Sequence, residues 1–334
     1  MDRAGRGEVT MGIRTTVVGS YPKPPDEGAP FTVRKTIHAL DKGTATEADL
    51  RRAQDELVRE VIAEQEAAGM DVVTDGHARW DDIVTPFARH MAGFEIGGLL
   101  RFFDNNVYYR RPVCTGEVEW RGPTSVAGWK FAAETATKPV KAVLPGPVTF
   151  ARLSIDDHYR DHEKFTLAVA RVLAQEAFEL QAAGCPIVQF DEPALLDAPE
   201  DLELAKKAIG VATKEIDEAV TLLVTYFGDA KRLGTELFSL PVDGFGLDLV
   251  SHVESIELTR SVPVGINLQA GIVDARNTKL EPVDQLVAAI EELASVVGPE
   301  RLTVSPSCGL EFLPRDKARA KLQRLAAAAQ KVSA

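Results

Sequence analysis

The feature that most constrains this chain is an alternation. Short β-branched runs and long amphipathic segments follow one another about eight times in 334 residues, with no linker between them. The short runs are "TTVVGSYP", "MDVVTDG", "KAVLPGP", "PIVQFDEP", "VTLLVTYFG", "VDGFGLDLV", "PVGINLQAG" and "LTVSPS". Between them, Thr46 with Asp49 three residues on forms a capping signal. It opens a helix carrying Leu50, Leu57, Val61 and Ile62 on one face and ending at Gly69. Further helices are expected over 82–91, 126–135, 163–183, 202–218 and 283–297, and from Arg315. Strands alternating with helices pair in parallel. About eight such units predict a (β/α)8 TIM barrel. A doubly wound open sheet is the rival, and no G-x-G-x-x-G follows the first strand to favour its dinucleotide-binding form.

The alternation breaks once. "GLLRFFDNNVYYRRPVCTGEVEWRG" sets aromatic and β-branched residues around a polar turn. It predicts a β-hairpin insertion at about 94–121, after the second βα unit. The hairpin could cover a substrate or pack on its own small core. Residues 1–13 read as a flexible N-terminus, and 14–334 as a single barrel domain.

Composition excludes several functions. A net charge of −12 disfavours nucleic acid as a partner, since phosphate binding needs a basic face. No run of about 18 apolar residues predicts a membrane span, and the N-terminus carries no apolar signal core. Three widely spaced cysteines, Cys114, Cys185 and Cys308, do not form a disulfide framework, and a reducing, cytoplasmic compartment is expected.

In a barrel, chemistry sits just past the C-terminal strand ends. The polar residues there are Gly19-Ser20, Asp75-Gly76-His77, Asp191-Glu192, Thr225-Tyr226, Asp248, Arg276 and Ser307-Cys308. Asp191 and Glu192 directly follow an apolar strand, where desolvating two carboxylates is costly without a partner. They serve either a site or a helix cap. His77 is either functional or a satisfied buried histidine. Cys308 could be a metal ligand, a nucleophile or a small turn residue. His38, His90, His158 and His162 are expected to face solvent, and Cys114 and Cys185 to pack.

The segments "VVGSYP", "DGHARWDDIVTPF", "LPGPVTF", "QFDEPAL", "LPVDGFGLDLV" and "VSPSCGLEFLPRDKA" run in this order from Thr15 to about Gln330. Together they resemble the cobalamin-independent methionine synthase family in its short, single-barrel form. The resemblance implies a (β/α)8 fold. It also implies methyl transfer to a small-molecule thiol, most often homocysteine, giving methionine. For single-barrel relatives it implies a methylated corrinoid, or a corrinoid protein, as donor. It implies zinc, which holds a substrate sulfur as the reactive thiolate.

Carried over by position, Val18, Gly19 and Ser20 would take the substrate carboxylate and Asp191 its amino group. His77 stands where the family has a glutamate for that amino group. Arg276 stands where it has a histidine that assists the methyl donor. Of the metal ligands, Cys308 matches and Asp248 occupies a glutamate position. The catalytic set is then Asp191, Arg276 and Cys308.

The chain departs from the family at its His-x-Cys ligand pair, which falls on Thr225 and Phe227. Two donors are fewer than the three protein ligands usual at a catalytic zinc. His77, or His252 one helical turn beyond Asp248, could complete a rearranged site. Two other readings stay open. His77 and Arg276 would suit a different thiol or an anionic small molecule on the same barrel, with Arg276 as a bidentate clamp. The missing His-x-Cys would suit a non-catalytic, ligand-binding paralogue.

Overall fold

The β-branched runs form ten strands: β1 (Arg14–Thr15), β2 (Phe94–Arg101), β3 (Tyr108–Cys114), β4 (Ala142–Pro145), β5 (Ile155–Asp156), β6 (Ile187–Asp191), β7 (Val220–Thr225), β8 (Gly244–Asp248), β9 (Asn267–Val273) and β10 (Leu302–Pro306). The structure, a computed structural model, describes residues 12–105 and 107–333, so the N-terminal stretch expected to be flexible lies, apart from Gly12 and Ile13, outside the described residues. Seven strands make one sheet in the order β1-β10-β9-β8-β7-β6-β4, all paired in parallel.

The run "MDVVTDG" is too short of partners to form a regular strand, yet it closes the ring. Parallel bridges join Thr16 to Val72 and Val73 to Val140. The Val72 N–H reaches the Thr15 carbonyl at 3.1 Å, and the Val73 N–H reaches that of Pro139 at 3.0 Å. This is the predicted barrel. Its strands read as nearly continuous apolar runs because both faces are covered; every residue of β4 and of β8 is buried.

The helices follow the sequence signals closely. Thr46 caps Glu47–Ala67 through a reciprocal capping box with Asp49. Leu57, Val61 and Ile62 are buried, while Leu50 is only partly so. Thr46→Ala is expected to cost about 1 kcal/mol, measured as a lower urea midpoint; an unchanged midpoint would assign this helix end wholly to tertiary packing. Val126–Thr135 and Val283–Val297 form where expected. The helix expected over 202–218 stops at Ala212, where the Thr213 hydroxyl turns back to the Ile209 carbonyl at 2.9 Å. The helix Thr32–Asp41 had no sequence signal; its N-cap lacks a side-chain bond and only Val33 is buried.

The insertion is a hairpin as expected. Antiparallel β2 and β3 are joined in parallel by β5 into a separate three-stranded sheet. Among the described residues no helix is long and apolar enough to cross a membrane.

Candidate active site

The polar strand ends converge. Val18 and Ser20 follow β1, and Asp191 ends β6. His77 enters from the turn after the 72–73 bridge, where Gly76 and His77 both have positive φ, of 68° and 50°. This conformation is uncommon for a residue with a side chain, and the Asp75 carboxylate holds it by accepting the His77 N–H at 2.9 Å. The turn lays the imidazole against Gly19, where a Cβ would stand 2.9 Å from His77 Cε1. Position 19 therefore has no room for a side chain.

A cavity of about 190 Å³ is lined by Val18, Ser20, His77 and Asp191, joined by Lys23, Trp80, Tyr226 and Glu311, with Phe102 and Val107 at the hairpin end. The hairpin end therefore contributes to the cavity wall. A wider hollow of about 550 Å³ beside Arg152 and His162 gathers no residue from the ends of β1, β6, β7 or β10, and both those side chains already pair with Asp201.

The paired carboxylates divide their roles. Asp191 faces the cavity, 2% exposed. Its Oδ1 accepts from Gln189 Nε2 at 2.6 Å and its Oδ2 from the Tyr226 hydroxyl at 2.9 Å. Burial pushes its carboxyl well above the usual range, against these two hydrogen bonds and the nearby Lys141 ammonium. Glu192 turns away. It accepts the Val148 and Thr149 amides at 2.9 and 2.7 Å and so caps the helix Pro147–Arg152. Glu192 thus takes the helix-cap role, while Asp191 lies at the cavity wall.

The other groups are shaped by burial. His77 is pushed down by burial to about 4, so its imidazole is neutral, and its buried Nε2 has no hydrogen-bond partner among the described residues. The Ser20 hydroxyl donates to the Glu311 carboxylate, and burial raises Glu311 towards its acid form. Lys23 donates to the Trp80 carbonyl and is lowered by burial.

Arg276, Asp248 and Cys308 do not line this cavity. Arg276 is exposed, its guanidinium 5.5 Å above the Phe227 ring. Cys308 is fully buried, and burial, with the Glu311 and Asp248 carboxylates, raises its thiol well above the usual range. It is thus held as a thiol rather than a nucleophilic thiolate.

The residues do not fit a zinc ion. Asp248 gives one oxygen to the Val250 and Ser251 amides, both at 2.9 Å, and leaves Oδ2 buried with no partner among the described residues. That oxygen and the Cys308 sulfur are two donors. Among the described residues no group of three or more His, Cys, Asp or Glu could hold a metal. Residues 249–252 are not helical, so His252 does not fold back as expected. Phe227 instead packs among Phe102, Phe103, Tyr226 and Phe312, with ring centroids 4.6–6.3 Å apart. Protein purified without chelator is expected to carry well under one zinc per chain by elemental analysis; stoichiometric zinc would overturn this account of the donor set.

Lys23, Trp80 and Glu311 had not been singled out in the sequence. Glu311 stands three residues past Cys308 in the "PSCGLEF" segment, so that segment marked its neighbourhood.

A closed parallel barrel with a small polar cavity at its strand ends defines an enzyme of the TIM-barrel class. Residues 13–331 match the family described as "Cobalamin-independent synthase, Catalytic domain". The chain belongs to that family and is a methyltransferase. It is 32% identical to a methionine synthase of Sulfolobus acidocaldarius over 317 residues, covering 94% of this chain and 90% of that protein. It is 33% identical to one of Sulfurisphaera tokodaii over 312 residues, covering 93% and 89%. A B12-independent methionine synthase from Shewanella sp. W3-18-1, solved with selenomethionine, shares the fold with a TM-score of 0.83 at 24% identity, covering 96% of this chain and 98% of that one. A putative vitamin-B12 independent methionine synthase from Listeria monocytogenes does so with a TM-score of 0.77 at 19% identity, covering 98% and 99%. The family is cobalamin-independent, so the corrinoid donor or partner expected above finds no support.

Proposed function

We propose that the enzyme methylates the sulfur of a small aminothiol, homocysteine, to give methionine, with the amino acid held in the cavity between Ser20 and Asp191. The observation that carries this is the Asp191 carboxylate, buried at the cavity wall and oriented by Gln189 and Tyr226. A desolvated carboxylate is a strong, directional partner for an ammonium group. The relatives named methionine synthase support homocysteine as the thiol.

The substrate carboxylate would take the Ser20 hydroxyl and the backbone at Val18 and Gly19. Glu311 now holds that hydroxyl. In its acid form Glu311 would itself donate to the incoming carboxylate. Neutral His77 supplies a ring nitrogen with no partner among the described residues, suited to a second hydrogen bond with the ammonium. Arg276, exposed over the Phe227 ring, would meet the methyl donor, while Asp248 and Cys308, buried away from the cavity, take no contact with substrate in this reading. No step is routed through zinc.

Calorimetric titration with L-homocysteine tests the reading. Binding that Ser20→Ala weakens is expected, and no binding would overturn it. His77, in place of the family's glutamate, favours one competing reading: a different thiol or an anionic small molecule. A thermal-shift panel of thiols and small anions in which homocysteine gave no stabilisation and another member did would select it.

A further inference from the structure

We infer that Lys141 is a positioning residue for Asp191, acting through Gln189, whose amide it locks in the one orientation that serves the substrate ammonium. This rests on the reading of Asp191 given above.

Lys141 stands just before β4 in "TKPVKAVLPGP", at the start of an apolar run that gave it no role of its own. Instead it is 2% exposed. Its Nζ donates to Gln189 Oε1 at 2.6 Å and to Gln269 Oε1 at 3.1 Å. Gln189 is on β6 and Gln269 on β9, and β4 and β9 are not neighbours in the sheet. The lysine therefore spans the barrel interior, and both these partners are neutral amides.

An ammonium only donates, so it takes the oxygen of each glutamine. With its oxygen committed to Lys141, Gln189 presents its NH2 on the other side. There Nε2 donates to the Val18 carbonyl at 2.9 Å and to Asp191 Oδ1 at 2.6 Å. One amide thus ties the turn assigned to the substrate carboxylate to the residue assigned to its ammonium. A reversed amide would aim its oxygen at both acceptors and break both bonds.

Charge adds to orientation. Burial raises Asp191 and lowers Lys141, and each opposes the shift of the other. The further groups acting on Asp191 are Tyr226, which donates to it, and the Glu311 carboxylate. The Asp191 carboxylate in turn raises Glu192 at the adjacent position. Lys141 also acts on His77, which stays neutral. Among these groups Lys141 is the cation that favours an ionised Asp191.

Lys141→Met keeps the length of the side chain and removes its donors and charge. In calorimetric titration of the full chain, L-homocysteine binding near neutral pH is expected to weaken about tenfold, and the midpoint of its pH dependence to rise by about one pH unit. Loss of packing alone would weaken binding equally at every pH, and that result, or no change in a folded variant, would overturn the proposal. Should Lys141→Met fail to fold, Lys141→Gln, polar and smaller, is expected to raise the midpoint in the same direction.

Carbon-13 NMR of the Asp191 carboxyl in the ligand-free protein, assigned with Asp191→Asn, separates the two readings. If the wild-type enzyme does not bind homocysteine, the substrate assignment falls. An upward move of the Asp191 midpoint in the Lys141 variants would still support the positioning role, and an unmoved midpoint would end it.

Discussion

Asp191→Asn is expected to weaken L-homocysteine binding by about 10²–10⁴-fold, the equivalent of about 3–5.5 kcal/mol, with little loss of stability. The carboxylate has two ordered donors and is 2% exposed. In the variant, a substrate ammonium would enter a desolvated cavity without its counter-charge. Asparagine also presents an NH2 where one oxygen now accepts, so either Gln189 or Tyr226 would face a donor.

The fold should tolerate the change for a reason of sign. Burial raises the folded-state value of Asp191 above its unfolded one. The folded protein therefore binds the proton more tightly, and ionising Asp191 lowers stability as pH rises through that interval. Removing the ionisable group removes that cost. In the wild type, binding should strengthen as pH rises and Asp191 ionises; in the variant that dependence should flatten. Calorimetry across pH, with urea unfolding alongside, measures both. Equal affinity in the two proteins would show that the substrate ammonium binds elsewhere.

The site was legible where chemistry follows strand ends, and illegible where it points into the barrel. Ser20, His77 and Asp191 each stand after an apolar run and do meet at one cavity. Lys141, Gln189 and Gln269 lie on or beside strands, and their inward direction depends on the closed ring rather than on local pattern. Gly19 was expected at the substrate carboxylate; the close approach of His77 is a constraint that only the structure adds. Asp248 and Cys308 were expected at the barrel mouth as metal ligands; both are buried, and neither lines the cavity.

The fold shows the same division. Helix ends with strong local signals, such as Thr46, were readable. The second strand was expected at full length but survives as two bridges, because pairing partners decide its extent. The helix Thr32–Asp41 was missed because it buries almost nothing and has no capping side chain.

Glu192→Ala should be the most damaging single change to stability, about 2–4 kcal/mol under mildly acidic conditions. Glu192 is fully buried and satisfies the Val148 and Thr149 amides, two of the orphan donors that begin the helix Pro147–Arg152. That helix, 147–152, is short, and Pro147 supplies no N–H of its own, so truncating Glu192 strands both amides in a dry interior.

The pH dependence distinguishes this cap from simple packing. Burial raises Glu192 from 4.5 to about 7 in the folded protein. The folded state then holds a proton that the unfolded state has released, so the wild type loses stability as pH rises between 4.5 and about 7, by up to about 3 kcal/mol. Glu192→Ala has no such proton. The gap between the two proteins should therefore be widest at the acidic end and narrow towards neutral pH. Glu192→Gln, which keeps the shape without titrating, should likewise lack the decline. Urea midpoints across that range measure all three; parallel wild-type and variant curves would mean that folding leaves the proton affinity of Glu192 unchanged, and a wild-type curve that rises from pH 4.5 would mean that it caps the helix as an anion.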